Sequence, residues 1–328
     1  MKKTLLKTIY NFGGFAPFHW AMREKVLILT YHRFSAEKAP HKISSAEFSR
    51  HLEYLKKHNR VFSLSDVADS LQNGEPLPPN AVAITIDDGY RDAYEIAFPL
   101  LKEFGFSATL FAVTDFLNQK CWLWTDLMRY VLLNTRNETI KIEFDNGDTV
   151  EARLTDQLQR LETAGRLNSR LKRMPNARKN SKILEIGNSL AVEIPPLPTA
   201  EYAPMEWDEA REMDGNNLKI ESHTVTHPIL TNIDPAELDY ELQASKSALE
   251  NALSKKIEHF CYPNGTFDEA VQKSVEKAGY RLAVTTRYGF NDGQAHRFLL
   301  NRIDAPPSIE NFAQSASGFE ALKQKLRF

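Results

Sequence analysis

Along the 328-residue chain, apolar and polar positions fall into short blocks whose period changes repeatedly. Residues 26–31 and 81–86 are apolar runs of strand formers, the pattern of strands buried on both faces. Residues 109–113, 218–221, 258–262 and 282–285 predict further strands. Between them the period lengthens: Phe48, Leu52 and Leu55 recur at helical spacing over 45–57, with Ser44 or Ser45 as N-cap. More helices are predicted over 65–72, 93–104 (ended by Gly105), 207–213, 236–253 and 269–278. Turn residues at 73–80 mark a loop. Strand and helix alternate, so the expected fold class is α/β, a distorted or incomplete (β/α) barrel.

The pattern breaks between about Trp124 and Pro204. Residues 141–144 and 149–152 flank Asp145-Asn146-Gly147-Asp148 and predict a hairpin with an Asn-Gly turn. Residues 158–171 predict a charged helix, and 194–198 a proline-rich loop. The chain therefore divides into an N-terminal extension (1–25), a core in two parts (26–125 and 205–310), an insertion (126–204) and a C-terminal helix or tail (311–328). It contains no internal repeat and no low-complexity tract.

Composition narrows the picture only a little. An apolar fraction of 42% and a charged fraction of 26% are ordinary for a globular chain. With 41 basic against 43 acidic residues, nothing points to nucleic acid. Cys121 and Cys261 are too few for a disulfide framework, and reduced thiols are expected. Lys2 and Lys3 look like the start of a signal peptide, but Lys7 and Asn11 interrupt the apolar run that should follow. A cytoplasmic or membrane-associated location is the resulting expectation. Leu5, Leu6, Ile9, Tyr10, Phe12, Phe15, Phe18 and Trp20 lie among basic residues. They suit packing against the domain or a weak membrane-surface contact.

Two segments carry candidate chemistry. Asp87-Asp88 ends the apolar strand just before Gly89, where functional groups gather in parallel α/β folds. Adjacent carboxylates repel, which a cation or a base role would use; the plainer alternative is capping of the next helix. The second segment is Ser222-His223-Thr224-Val225-Thr226-His227-Pro228. Its β-branched residues and Pro228 predict a strand end running into a loop, not a helical His-Glu-x-x-His site. One carboxylate and two histidines make a three-ligand metal site with open positions. The other carboxylate is left to take a proton from a polarised water.

With these residues the chain resembles the polysaccharide deacetylases with a NodB-type domain. Thr85-Ile86-Asp87-Asp88-Gly89-Tyr90 is similar to their Thr-Phe-Asp-Asp-Gly motif, and Ser222 to His227 to their Ser/His-Thr-x-x-His motif. Phe260-Cys261-Tyr262-Pro263-Asn264-Gly265 resembles a variant of the third motif. The resemblance covers roughly 26–125 and 205–305 and leaves out the insertion. It implies that Asp87 is the catalytic base and that Asp88, His223 and His227 hold a divalent metal. Zinc is the default, although Co2+, Ni2+ or Fe2+ suit the same ligands. It also implies a backbone N–H at Asn264 facing the oxyanion. Tyr31-His32-Arg33-Phe34 resembles the Tyr-His opening of one family branch, where an N-terminal histidine stands in for the late catalytic acid; that role falls to His32.

Two departures stand out. The late Leu-x-His is missing from Leu299-Leu300-Asn301-Arg302-Ile303-Asp304, and His296 sits in a Gly- and Asp-rich loop. Cys261 occupies the place of the arginine that tethers the base, and Arg302 is expected to replace it. The expected activity is metal-dependent hydrolysis of the acetamido group of an N-acetylated polysaccharide or oligosaccharide. The alternative is a glycan-binding module that keeps the metal and lacks the acid. An Fe(II) oxygenase also uses two histidines and a carboxylate, but its His-x-Asp is absent. Tyr90, Trp122, Trp124 and Trp207 suit either sugar stacking or the core.

Overall fold

In the computed structural model, which describes residues 2–325, seven parallel strands form a ring in chain order. They are β1 (Leu27–Tyr31), β2 (Ala81–Asp88), β3 (Ala108–Ala112), β4 (Leu218–Ser222), β5 (His259–Cys261), β6 (Leu282–Tyr288) and β7 (Leu300–Asp304). Each pairs with the next, and β7 pairs with β1, so the barrel is closed. Met1 of the N-terminal extension and the last three positions of the C-terminal segment lie outside the described residues.

Strand parity sorts the side chains into two layers. On β2, Val82, Ile84 and Ile86 join the large cluster between strands and helices. Ala83 instead joins Ile28, Phe111, Cys261, Val284 and Leu300 in a separate cluster, capped by Leu64 and Val67 of the helix Leu64–Asn73. Thr85 and Asp87 continue the parity of Ala83, and Arg302 that of Leu300. The barrel interior therefore changes from apolar at its floor to charged at the C-terminal ends of the strands.

The predicted elements appear with shifted ends, and three features differ. The 93–104 helix is a π-helical turn, Ala93–Ala97, running into Phe98–Phe104. Pro99 has no N–H to give the regular ladder, and Phe98 N–H bonds back to Ala93. β7 was not predicted as a strand, because Asn301, Arg302 and Asp304 interrupt its apolar pattern. The insertion also holds two unpredicted helices, the largely apolar Trp124–Asn134 and the polar Asn176–Ser189. With the hairpin Thr139–Glu143/Thr149–Arg153 and the helix Gln157–Leu171, they close over an apolar cluster of their own. Ile229, just past His227, belongs to that cluster, so the insertion packs directly under the histidine loop.

Candidate active site

Local backbone geometry turns the β2 end into the barrel mouth. Asp88 adopts φ 80°, a conformation L-residues rarely take, and Gly89 follows at φ 96°. A Cβ on Gly89 would stand 2.7 Å from Leu117 Cδ1. Only glycine fits this turn. The histidine loop is bent in the same way, with Thr224 at φ 72° and His227 at φ 58°. Its first end is pinned by His223 N–H donating to Ala112 O (3.0 Å).

These bends bring three donors together. Asp88 Oδ1 lies 3.6 Å from Nε2 of both His223 and His227. His223 Nδ1–H donates to Cys261 O (2.7 Å), which aims the Nε2 lone pair at Asp88. Burial lowers the His223 pKa to about 4 and holds His227 well below the usual imidazole value, so both rings are neutral. Burial, followed by the charges of Asp87 and Asp126, pushes Asp88 up to about 7 against the pull of His32. A buried carboxylate facing two neutral imidazoles has no cation of its own. Ligands about 2.1 Å from a tetrahedral ion stand about 3.4 Å apart, close to the spacing here. The donor set therefore fits a divalent ion.

Asp87 occupies a different environment. Arg302 Nη1 donates to its Oδ1 (2.8 Å) and Nη2 to its Oδ2 (2.7 Å). The guanidinium is itself fixed by Thr285 O (2.8 Å), Thr85 Oγ1 (3.0 Å) and Cys261 Sγ (3.1 Å). The small thiol at 261 leaves room for a guanidinium arriving from β7. Burial raises the Asp87 pKa, but the Arg302 charge and its two hydrogen bonds outweigh this and hold it well below the carboxylate range. His32, half exposed, places Nε2 3.8 Å from Asp87 Oδ2. Asn264 lies on the turn Pro263–Gly265 after β5, at φ 54°, with its side-chain nitrogen buried and without a partner. A second trio, Asp87, His223 and Cys261, also lies close together. Asp87 is committed there to Arg302, and burial drives the Cys261 thiol well above its ordinary value, so the trio offers no thiolate.

The comparisons with known proteins bear on the family to which this barrel belongs. The polysaccharide deacetylase family model covers residues 74–195 and 198–283. The chain belongs to that family. Its members are hydrolases of carbon–nitrogen bonds other than peptides. YxkH, a Bacillus subtilis protein assigned to polysaccharide deacetylases, is 23% identical over 294 residues, 89% of this chain and 75% of that protein. The poly-β-1,6-N-acetyl-D-glucosamine N-deacetylase of Escherichia coli is 30% identical over 84 residues, 24% of this chain and 12% of that one. Among solved structures, Streptococcus pyogenes deacetylase PplD in complex with acetate gives a TM-score of 0.60 at 20% identity, covering 90% of this chain and 99% of its own. IcaB from Ammonifex degensii gives 0.56 at 18%, covering 89% and 97%.

Against that family background, two supporting carboxylates emerge that the motifs do not contain. Glu241, on the helix Pro235–Leu253, accepts the N–H groups of Val225 (2.7 Å) and Thr226 (3.0 Å) and the Thr226 hydroxyl (2.5 Å). It therefore clamps the loop between the two histidines. The sequence carried a signal for it, a charge within the apolar stripe Leu238, Leu242 and Leu249. Asp126 is fully buried and accepts from the Tyr90 hydroxyl and from Arg129 (2.8 Å). Nothing in its surroundings along the chain marked it. Tyr90, Trp122 and Trp124 are buried and do not offer stacking faces to a sugar. Trp207 is half-buried and donates to Asn118 Oδ1 (3.0 Å). Both cysteines are free thiols.

Proposed function

We propose that the chain is a metal-dependent deacetylase that hydrolyses the acetamido group of an N-acetylated polysaccharide or oligosaccharide. The observation that carries the reading is the division between the two adjacent carboxylates. Asp88 faces two neutral imidazoles and would bind the ion with His223 and His227, while Asp87 is kept ionised by Arg302. When bound, a divalent ion at these ligands supplies Lewis-acid polarisation of the amide carbonyl and of water.

The remaining steps belong to the chain. Asp87 takes a proton from water as the oxygen attacks the acetyl carbon, and Arg302 fixes the orientation of the carboxylate through both oxygens. The Asn264 backbone N–H stabilises the oxyanion of the tetrahedral adduct. His32 gives a proton to the departing nitrogen as the C–N bond breaks, leaving acetate and a free sugar amine. The Escherichia coli relative acts on a β-1,6-linked N-acetylglucosamine polymer, which makes that class the first substrate to try. The test is metal content and acetate release with N-acetylglucosamine oligomers. One ion per chain and turnover abolished by chelation support the proposal. Turnover that survives complete metal removal would reject it.

A further inference from the structure

Among the described residues, eight large apolar side chains stand exposed, and three of them fall within the first 20 positions: Leu5, Phe12 and Trp20. These positions form two helices, Lys2–Asn11 and Ala16–Met22, joined by a tight turn at Gly13 and Gly14. One face of the pair is occupied. Leu6, Ile9, Tyr10 and Phe18 pack against the core, and Phe15 and Met22 are buried. The other face is not. Leu5 on the first helix, 62% exposed, and Phe12 in the turn that follows it, 86% exposed, stand seven residues apart on this side. Trp20 is 68% exposed on the second helix, and the Arg23 guanidinium lies 4.2 Å over its ring. The other exposed apolar residues, such as Leu158, Leu184 and Tyr240, are scattered.

Charge identifies the occupant. Residues 1–23 contain Lys2, Lys3, Lys7 and Arg23 and no acidic residue, and Glu24, next along the chain, pairs with Arg23 (3.1 Å) and leaves a net positive segment. We infer that this helix pair docks the protein on an anionic membrane surface. Phe12 and Trp20 would enter the boundary between headgroups and acyl chains, and Lys7 and Arg23 would face the lipid phosphates. An aromatic–leucine face with cations around it is the pattern of interfacial helices. Trp and Arg together suit that boundary, since the ring is amphipathic and the guanidinium pairs with phosphate. No described helix is long and apolar enough to cross a membrane, so the contact is peripheral. A second copy is the poorer occupant, because a two-fold dimer through this face would set like charges against each other. The deacetylase site lies at the C-terminal ends of the strands, and the inference does not depend on its activity.

The experiment is co-sedimentation of the full chain with phosphatidylcholine vesicles, with and without phosphatidylglycerol, read alongside tryptophan emission. Binding to the anionic vesicles alone, with a shift of emission to shorter wavelength, is expected. Trp20→Phe should bind and lose the shift, since Trp122 and Trp124 are buried and the half-buried Trp207, bonded to Asn118, lies outside the helix pair. Phe12→Ser/Trp20→Ser should weaken partitioning at least about tenfold. Lys7→Gln should weaken it about fivefold. Circular dichroism of each variant controls for folding. Failure of the folded wild type to bind anionic vesicles would overturn the inference. So would a concentration-dependent dimer abolished by Phe12→Ser/Trp20→Ser.

Discussion

Replacing Arg302 with methionine removes a guanidinium that bonds both oxygens of Asp87 and leaves the buried carboxylate without its cation. Two unit charges about 4 Å apart at an effective dielectric of about 20 interact by about 4 kcal/mol. At 1.36 kcal/mol per pKa unit, that corresponds to about 3 units. The wild-type Asp87 pKa lies well below the carboxylate range because the Arg302 charge overcomes burial. In Arg302→Met only the raising effect of burial remains opposed by His32 and His223, so Asp87 binds its proton at higher pH. The acid limb of kcat/KM for acetate release should move up by about 2–3 pH units. At neutral pH Asp87 stays ionised, so the loss there, about 100-fold, comes from the two hydrogen bonds that no longer orient it. Breaking a buried pair should also cost about 3–5 kcal/mol of stability. The sign is checkable by acid titration. A carboxylate depressed in the folded state contributes stability above its unfolded pKa, about 3.9, and loses it as pH falls toward the folded value. Wild type should show that loss in acid, and Arg302→Met should not. An acid limb and a rate both unchanged in a folded Arg302→Met protein would refute the argument that Arg302 holds the base.

The other expectations concern the loops around the site. Glu241→Ala leaves the Val225 and Thr226 N–H groups without their acceptor, so about 1–3 kcal/mol of stability should go, with metal binding about 10–100-fold weaker by titration calorimetry. His32→Gln should lower kcat about 100- to 10,000-fold while metal content stays the same; a small drop would place the acid elsewhere. Gly265→Ala sets a Cβ 2.0 Å from Thr286 Oγ1 at a residue with φ 65°, so the Asn264 turn must shift. Its kcat should fall more than KM rises, as for a group that acts only in the transition state.

Much of the barrel could be read before any coordinates, for one physical reason. A strand covered on both faces must be continuously apolar, so 26–31 and 81–86 stood out against helices with three-and-four spacing. β7 escaped because its interior-facing side chain is Arg302, whose burial depends on Asp87 across the barrel, a long-range pairing that local pattern does not record. The helix Asn176–Ser189 escaped because its sequence is polar around most of its surface, and of its apolar side chains Ile183 and Ile186 alone join the insertion's core. The candidate site residues Asp87, Asp88, His223 and His227 were legible because they sit in motifs at strand ends. Their supports were not. Glu241 and Asp126 act through positions set by tertiary packing, and the left-handed conformations of Asp88, Thr224 and His227 have no glycine to announce them. The aromatic residues near the mouth suited stacking or core equally well on sequence grounds, and burial decides for the core at Tyr90, Trp122 and Trp124.

The proposed separation of roles between adjacent carboxylates is tested most directly by one paired measurement on Asp87→Asn and Asp88→Asn, metal content against acetate release from N-acetylglucosamine oligomers. The account predicts that Asp87→Asn keeps one ion per chain and releases no acetate above background, whereas Asp88→Asn loses both. Loss of the ion in Asp87→Asn with retention in Asp88→Asn, or turnover retained by Asp87→Asn, would contradict it.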